Sequence, residues 1–165
     1  MPKTINQISD FYYAVVEGLK PHLHEAIKIE NFFEFGEAAI HTHQLMVFVE
    51  LAEINPAPPS PDGRHGQQVG VILHCFASQA LPHANVKAMD LASAIERVLS
   101  NPNPWHLTPV VLPPEQVVCE PGFFKPGSQG FESWQIAFTQ TVYLGEPDPV
   151  FFDHHYPEAT NVRIQ

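Results

Sequence analysis

Residues 44–54, QLMVFVELAEI, are the segment on which the fold depends. The side chains alternate between two faces, with Leu45, Val47, Val49 and Leu51 on one face and Met46 and Phe48 on the other. The first half of the segment is therefore apolar on both faces, which is typical of a strand at the centre of a sheet. Residues 68–78, QVGVILHCFAS, repeat this pattern. We predict that both segments are central strands.

The sequence between these two strands is rich in turn-forming residues. Residues 55–67 contain four prolines, an Asp-Gly step and a further glycine, a composition that opposes a regular hydrogen-bonded ladder. We expect a long, exposed and mobile hairpin connection there.

Two segments have the three-four spacing of apolar residues that indicates an amphipathic helix. The first, residues 4–20, has a capping box formed by Thr4 and Gln7 and ends at Pro21. The second, residues 85–100, is stopped by Asn101 and Pro102.

Four more segments have strand-like patterns. We interpret residues 22–35 as one irregular strand and residues 108–112 and 116–119 as short strands, whereas residues 133–144 form the last strong strand. The order of elements predicts an α+β fold in which two helices cover one face of a mainly antiparallel sheet. The expected core is Ile8, Phe11, Val15, Val47, Val49, Val71, Leu73, Leu91, Ile95, Trp134, Ile136 and Phe138.

Composition limits the possible functions. A chain of 165 residues is the size of one domain, which we assign to residues 1–146. The net charge of −10 would repel a phosphate backbone or an anionic bilayer, so we expect neither nucleic-acid nor membrane binding. The opening sequence MPKTINQISD has no apolar stretch like that of a secretory signal, which favours synthesis in the cytoplasm.

The ten histidines include two pairs with one-residue spacing, His22 with His24 and His41 with His43. On a strand this spacing puts both rings on one side, where they can bind zinc if a third ligand is near. Candidates for that ligand are Glu25, Glu37, Asp153, His154 and His155. The alternative is that these are half-exposed strand residues, and we predict no metal and no cofactor. A small metal-dependent enzyme remains the second hypothesis.

Other catalytic patterns are missing from the sequence. There is no GxGxxG or GxxxxGK[ST] phosphate loop and no GxSxG nucleophile elbow. Cys75 and Cys119 lie in apolar runs, where a buried thiol is inert. We therefore predict no catalytic residue and no enzymatic activity.

Residues 147–165 are unusual for a chain end because they are rich in large apolar side chains. Such a segment either folds back over its own domain or contacts another protein. Prolines keep it extended and the final NVRIQ alternates like a strand, so we predict an interaction arm. The expected contact residues are Phe151, Phe152, Tyr156, Val162 and Ile164.

Five segments follow one another over roughly residues 4–146: TINQISDFYYAVVEGL (4–19), a hydrophobic strand with its proline-rich hairpin loop, VKAMDLASAIERVL (86–99), NPNPWHL (101–107) and FESWQIAFTQTVYLGEP (131–147). This order resembles the tail terminator proteins of phages, including the collar proteins of contractile tails and R-type pyocins. The resemblance implies a homo-oligomeric ring, a hexamer, that stops polymerisation at the head-proximal end of the tail. It also implies tail tube and sheath proteins as partners, incorporation into a phage or tail-like particle, and the last sheath row as the mate of the arm.

Overall fold

A computed structural model describes residues 4–148 and residue 150. In this part of the chain there are three α-helices and five strands. In chain order they are α1 (Ile8–Leu19), β1 (Lys28–Asn31), α2 (Glu37–His43), β2 (Leu45–Ala57), β3 (His65–Ser78), α3 (Ala84–Leu99), β4 (Glu115–Pro121) and β5 (Phe131–Leu144). The predicted α+β class is confirmed.

The five strands form one open sheet in the order β1-β2-β3-β5-β4. β1 runs parallel to β2, and the other neighbours are antiparallel. The two segments predicted as central strands, β2 and β3, are indeed interior and form the long hairpin of the sheet. β5 pairs with β3 along its whole length, from His65↔Leu144 to Ser78↔Phe131.

The first face of the sheet is covered by α1 and α3, as the sequence predicts. The main core consists of inward-facing strand residues, such as Val47, Leu73 and Ile136, packed against apolar residues of both helices. Of the expected core, Ile8 and Trp134 are only partly buried, and the other members are buried. Burial of this apolar surface contributes most of the driving force for folding.

The second face carries a smaller core that the sequence does not predict. Ile40 of the short helix α2 packs there with Met46, Phe48, Phe76 and Phe131. α2 has seven residues, too few for a three-four pattern to stand out. The interpretation of residues 22–35 as one strand is wrong, because only Lys28–Asn31 is a strand and a 3₁₀ turn occupies Phe32–Glu34.

The hairpin connection is shorter than expected, because strand pairing extends into residues 55–57 and 65–67. β2 continues to Ala57 and β3 starts at His65, with Asn55, Pro56 and Ala57 paired to residues of β3. β1 pairs only with the start of β2, so the second half of β2 is a sheet edge, where proline is tolerated. The remaining connection, residues 58–64, is closed by hydrogen bonds from Arg64 N to Ser60 Oγ (2.9 Å) and from Gly63 N to Ser60 O (2.9 Å).

Two more local predictions need correction. α1 begins after Gln7, and the carboxylate of Asp10 accepts hydrogen bonds from the backbone of Asn6 (3.0 Å) and Gln7 (3.2 Å). Asp10, not Gln7 paired with Thr4, therefore satisfies the free N–H groups at this helix start. Residues 108–112 form turns with one isolated bridge, Val111↔Val142, instead of a strand.

The NPNPWHL segment is tied to the sheet by one buried side chain. Trp105 Nε1 donates to Gln140 Oε1 (2.7 Å), and Gln140 Nε2 donates to the carbonyl of Leu112 (3.0 Å). Gln140 is 2% exposed and Trp105 5% exposed, so water does not replace either partner. The pair fixes the connection between α3 and β4 over the first-face core.

Candidate functional site

Each outer strand of the sheet is followed by a phenylalanine-rich segment that turns back over the second face. Residues 32–35 follow β1, and Phe123 and Phe124 follow β4. β1 and β4 lie at opposite edges of the sheet, so the two segments approach from opposite sides. They meet above β3, where the rings of Phe32 and Phe123 stack with centroids 6.1 Å apart.

Three phenylalanines at this meeting point remain open to solvent, and the ring of each packs against Phe32: Phe33 (75% exposed), Phe123 (52%) and Phe35 (36%). We call these three residues the aromatic surface. Isolated apolar side chains on a protein surface are common, but a cluster of large rings marks an interaction site.

The segment after β4 is held in place by specific contacts. Ser133 Oγ donates to the carbonyl of Phe123 (2.7 Å), and Lys125 exchanges two backbone hydrogen bonds with Phe131 (2.8 and 2.9 Å). Lys125 Nζ also forms an ion pair with Glu37 Oε2 of α2 (2.7 Å), which joins the two sides of the aromatic surface. An exposed pair of this kind contributes little free energy, so its main effect is orientation.

A buried histidine lies directly beneath the aromatic surface. His74 of β3 is 3% exposed, and its ring stacks under Phe32 with centroids 4.2 Å apart. His74 Nε2 lies 2.8 Å from Glu50 Oε2 on the neighbouring strand β2. A carboxylate accepts and does not donate, so Nε2 carries the proton and Nδ1 is the free lone pair.

Burial lowers the pKa of His74, and the hydrogen bond and negative charge of Glu50 oppose this shift. Nδ1 has no hydrogen-bond partner among the described residues. Protonation would place a second N–H in a site that offers it no acceptor there, so the neutral ring suits the site. The arrangement supports the aromatic surface and presents no nucleophile to a substrate.

The paired histidines do not come together as expected. His41 and His43 lie in α2, where residues two apart point in different directions, so the prediction of a strand is wrong for this pair. His22 ends a 3₁₀ turn, and His24 Nδ1 accepts from the backbone of Ala26 (3.0 Å). Within residues 4–148 and 150, no three His, Cys, Asp or Glu side chains are grouped to bind a metal. Asp153, His154 and His155 lie outside the described residues.

The two cysteines differ in environment. Cys75 is buried in the main core, as expected, whereas Cys119 is exposed on the edge strand β4. Burial raises the pKa of the Cys75 thiol. Partial burial and the negative charge of Glu96 raise that of Cys119. Neither cysteine is activated as a thiolate.

The predicted contact residues of the arm, Phe151, Phe152, Tyr156, Val162 and Ile164, lie outside the described residues. The structure does fix where the arm begins. Gly145 N donates to the carbonyl of Ile5 (2.8 Å), and Asp148 N donates to the carbonyl of Asp62 in the hairpin connection (2.7 Å).

A cleft of about 540 Å³ lies beside the end of α3 and includes His22, Arg97, Asn101 and His106. These polar side chains are exposed and belong to different surface turns and a helix end. A ligand site normally presents converging polar groups within an apolar pocket, which this cleft lacks.

None of the helices in the described part of the chain is both long and apolar enough to span a bilayer. Comparison with protein-family models gives no match. A search among curated proteins likewise finds no significant match. Sequence reasoning missed the aromatic surface because it assigned FFEF to a strand and did not interpret Gly-Phe-Phe at 122–124. The available signal was the adjacency of both phenylalanine groups to turn residues, Gly36 in one case and Pro121 and Gly122 in the other.

Proposed function

We propose that this chain is a structural subunit of a phage tail or tail-like particle. In this proposal identical copies form a ring, a hexamer, at the head-proximal end of the tail, and the ring stops polymerisation of the tail tube and sheath. Its partners are copies of itself, the tail tube protein and the sheath protein. The function depends on interfaces and involves no catalytic residue.

The observation that carries the proposal is the combination of two unpaired sheet edges with the aromatic surface. β1 and β4 are the outer strands of an open sheet, and β4 is exposed along most of its length. Within the described residues neither edge is covered by a further strand, and such edges are sites where another chain can add to a sheet. A contact between the β1 edge of one copy and the β4 edge of the next is of the head-to-tail type, which closes into a ring when its rotation allows.

The order of elements also supports a tail-terminator-like fold. An N-terminal helix precedes a long hairpin, and a second long helix precedes the last two strands. This is the order on which the resemblance to tail terminators rests. The two segments containing Trp105 and Trp134, which belong to that resemblance, both pack against the first-face core or its borders.

Charge supports protein partners over nucleic acid. The net charge of −10 makes a DNA-binding role at the head–tail junction unfavourable, and a ring built from sheet edges and aromatic contacts needs no basic surface. The alternative of a metal-dependent enzyme has no specific observation in its favour, because the described histidine pairs lack a third ligand.

Light scattering on the purified full-length chain tests the proposal. A hexamer has a mass of about 111 kDa, six times the 18.5 kDa of one chain. A mass near that value that is independent of dilution is the expected result. A chain that remains at 18.5 kDa at every concentration contradicts ring formation.

A further inference from the structure

We infer that the aromatic surface of one copy binds the C-terminal segment, residues 151–165, of a neighbouring copy. The inference rests on the proposed assembly of identical subunits and names the contact that joins them. The receiving site is Phe33, Phe35 and Phe123, and the inserted anchors are Phe151, Phe152 and Tyr156.

The receiving site is already formed in the single chain. Phe32 rests on the buried His74, Phe123 is fixed through Ser133, and Lys125 links the site to Glu37. The three exposed rings therefore need little rearrangement to bind a partner, which lowers the entropic cost of association. Rigid aromatic residues supply most of the free energy at interface hot spots.

The chemistry of the segment matches that of the site. Three aromatic residues occur within residues 151–156. Aromatic rings pair favourably in stacked and edge-to-face arrangements, both of which already occur within the cluster. The prolines around the segment restrict the unbound chain, so an extended conformation is reached at lower entropic cost.

The place where the described chain ends favours a neighbouring copy as the source of the first two anchors. Asp148 is bonded to the hairpin connection, which precedes the start of β3 at His65, whereas the aromatic surface lies over His74 and Phe76. Nine residues of strand separate His65 from His74, which is about 30 Å.

Phe151 follows Asp148 by three residues and Phe152 by four, which at full extension is at most about 11 and 14 Å. Both backbone reaches are well below the strand length that leads to His74, which favours a neighbouring copy as the source of these two anchors. Such a contact joins the hairpin end of one copy to the opposite end of the sheet of another. Such a contact is heterologous, as ring closure requires.

Photo-crosslinking of the full-length protein tests the inference. p-Benzoylphenylalanine replaces Phe151 or, separately, Phe152, and isotopically light and heavy copies are mixed before assembly and irradiation. We expect cross-links to peptides that contain residues 32–35 or 123–124, joining light to heavy copies. A photo-group at Tyr13, which is 63% exposed on α1, is the control and is expected to leave these peptides unlinked.

A matched pair of variants checks that the rings receive the arm. Phe123→Ser removes a half-exposed ring of the aromatic surface (52% exposed), and Val86→Ser removes an exposed apolar side chain of α3 (46% exposed). The Phe123 variant is expected to lower the cross-link yield by roughly fivefold or more, as for an interface hot spot, and the Val86 variant to leave it unchanged.

Light scattering on the same samples separates this inference from the proposed function. A hexamer whose cross-links fall elsewhere, or within one copy, overturns the inference and leaves the ring intact. A monomer without cross-links between light and heavy copies contradicts both. Cross-links at the aromatic surface that Phe123→Ser does not reduce also overturn the assignment of the receiving rings.

Discussion

Substitution of Gln140 by leucine probes the buried link between the NPNPWHL segment and the sheet. Leucine has a similar volume, so the substitution removes two hydrogen bonds without opening a large cavity. It leaves Trp105 Nε1–H without an acceptor and the Leu112 carbonyl without its donor. Leaving a buried polar group unpaired costs about 1–3 kcal/mol.

The Trp105 N–H and the Leu112 carbonyl do not contribute equally to this cost. Trp105 is 5% exposed, so leaving its N–H unpaired costs the full free energy of a buried polar group. Leu112 is only partly buried, so its carbonyl can bond to water instead. We therefore expect Gln140→Leu to lower the free energy of unfolding by about 2–4 kcal/mol in total. At about 2–4 °C per kcal/mol for a chain of this size, the melting temperature should fall by roughly 4–16 °C.

Denaturant unfolding followed by tryptophan fluorescence measures this loss, at one fixed protein concentration because assembly adds to stability. Gln135→Leu is the matched control, since Gln135 lies on the same strand but faces the other side and donates to the exposed Glu120 (3.1 Å). The control should change the free energy by no more than about 0.5 kcal/mol.

A double-mutant cycle assigns the loss to the hydrogen bond with Trp105. In a Trp105→Phe background the donor is absent, so Gln140→Leu should cost at least about 1 kcal/mol less than in the parent protein. Equal costs in the two backgrounds, or a Gln140→Leu variant as stable as the Gln135→Leu control, would refute the reasoning.

Three further predictions concern pH, backbone packing and metal. The pKa of His74 is lowered in the folded protein, so its contribution to the free energy of unfolding is fully present above the ordinary pKa of 6.5 and is lost as the pH falls below that value. Denaturant unfolding at several pH values between about 7.5 and 5.5 should show this loss, and a His74→Phe variant should lack the part that His74 contributes. Gly66→Ala places a Cβ 2.9 Å from the carbonyl oxygen of Ala57 and should cost about 2–3 kcal/mol, against at most about 1 kcal/mol for Gly36→Ala, which meets nothing within 4 Å; equal melting temperatures would contradict the packing of the hairpin. A chelator should leave the circular dichroism spectrum unchanged, since a structural zinc site would unfold on metal loss, and a loss of signal would revive the metal hypothesis.

The sequence predicted the elements whose patterns are long and uninterrupted. β2, β3, α3 and the strong part of β5 carry alternation or three-four spacing over eleven or more residues, and burial then follows from the pattern. The prediction of the first-face core is largely correct for the same reason. Trp134 is a partial exception, because it lies at the border of the core, so Trp134→Ala should cost less than the roughly 3–5 kcal/mol of a fully buried ring.

The errors lie where long-range pairing overrides local preference. The prolines of the hairpin connection were expected to prevent pairing, yet Pro56 lies on a free edge where its missing N–H costs nothing. The aromatic surface was not predictable from periodicity, because its two halves come from segments about 90 residues apart that only the sheet order brings together. Local sequence shows that a phenylalanine is in a turn, but not that a second turn meets it.

Electron microscopy of the purified full-length chain tests the central claim most directly. The account predicts class averages of a closed ring of six copies around a central opening, formed without any other protein. Single particles of one chain, or open chains of variable length, would contradict the claim that this subunit closes a ring.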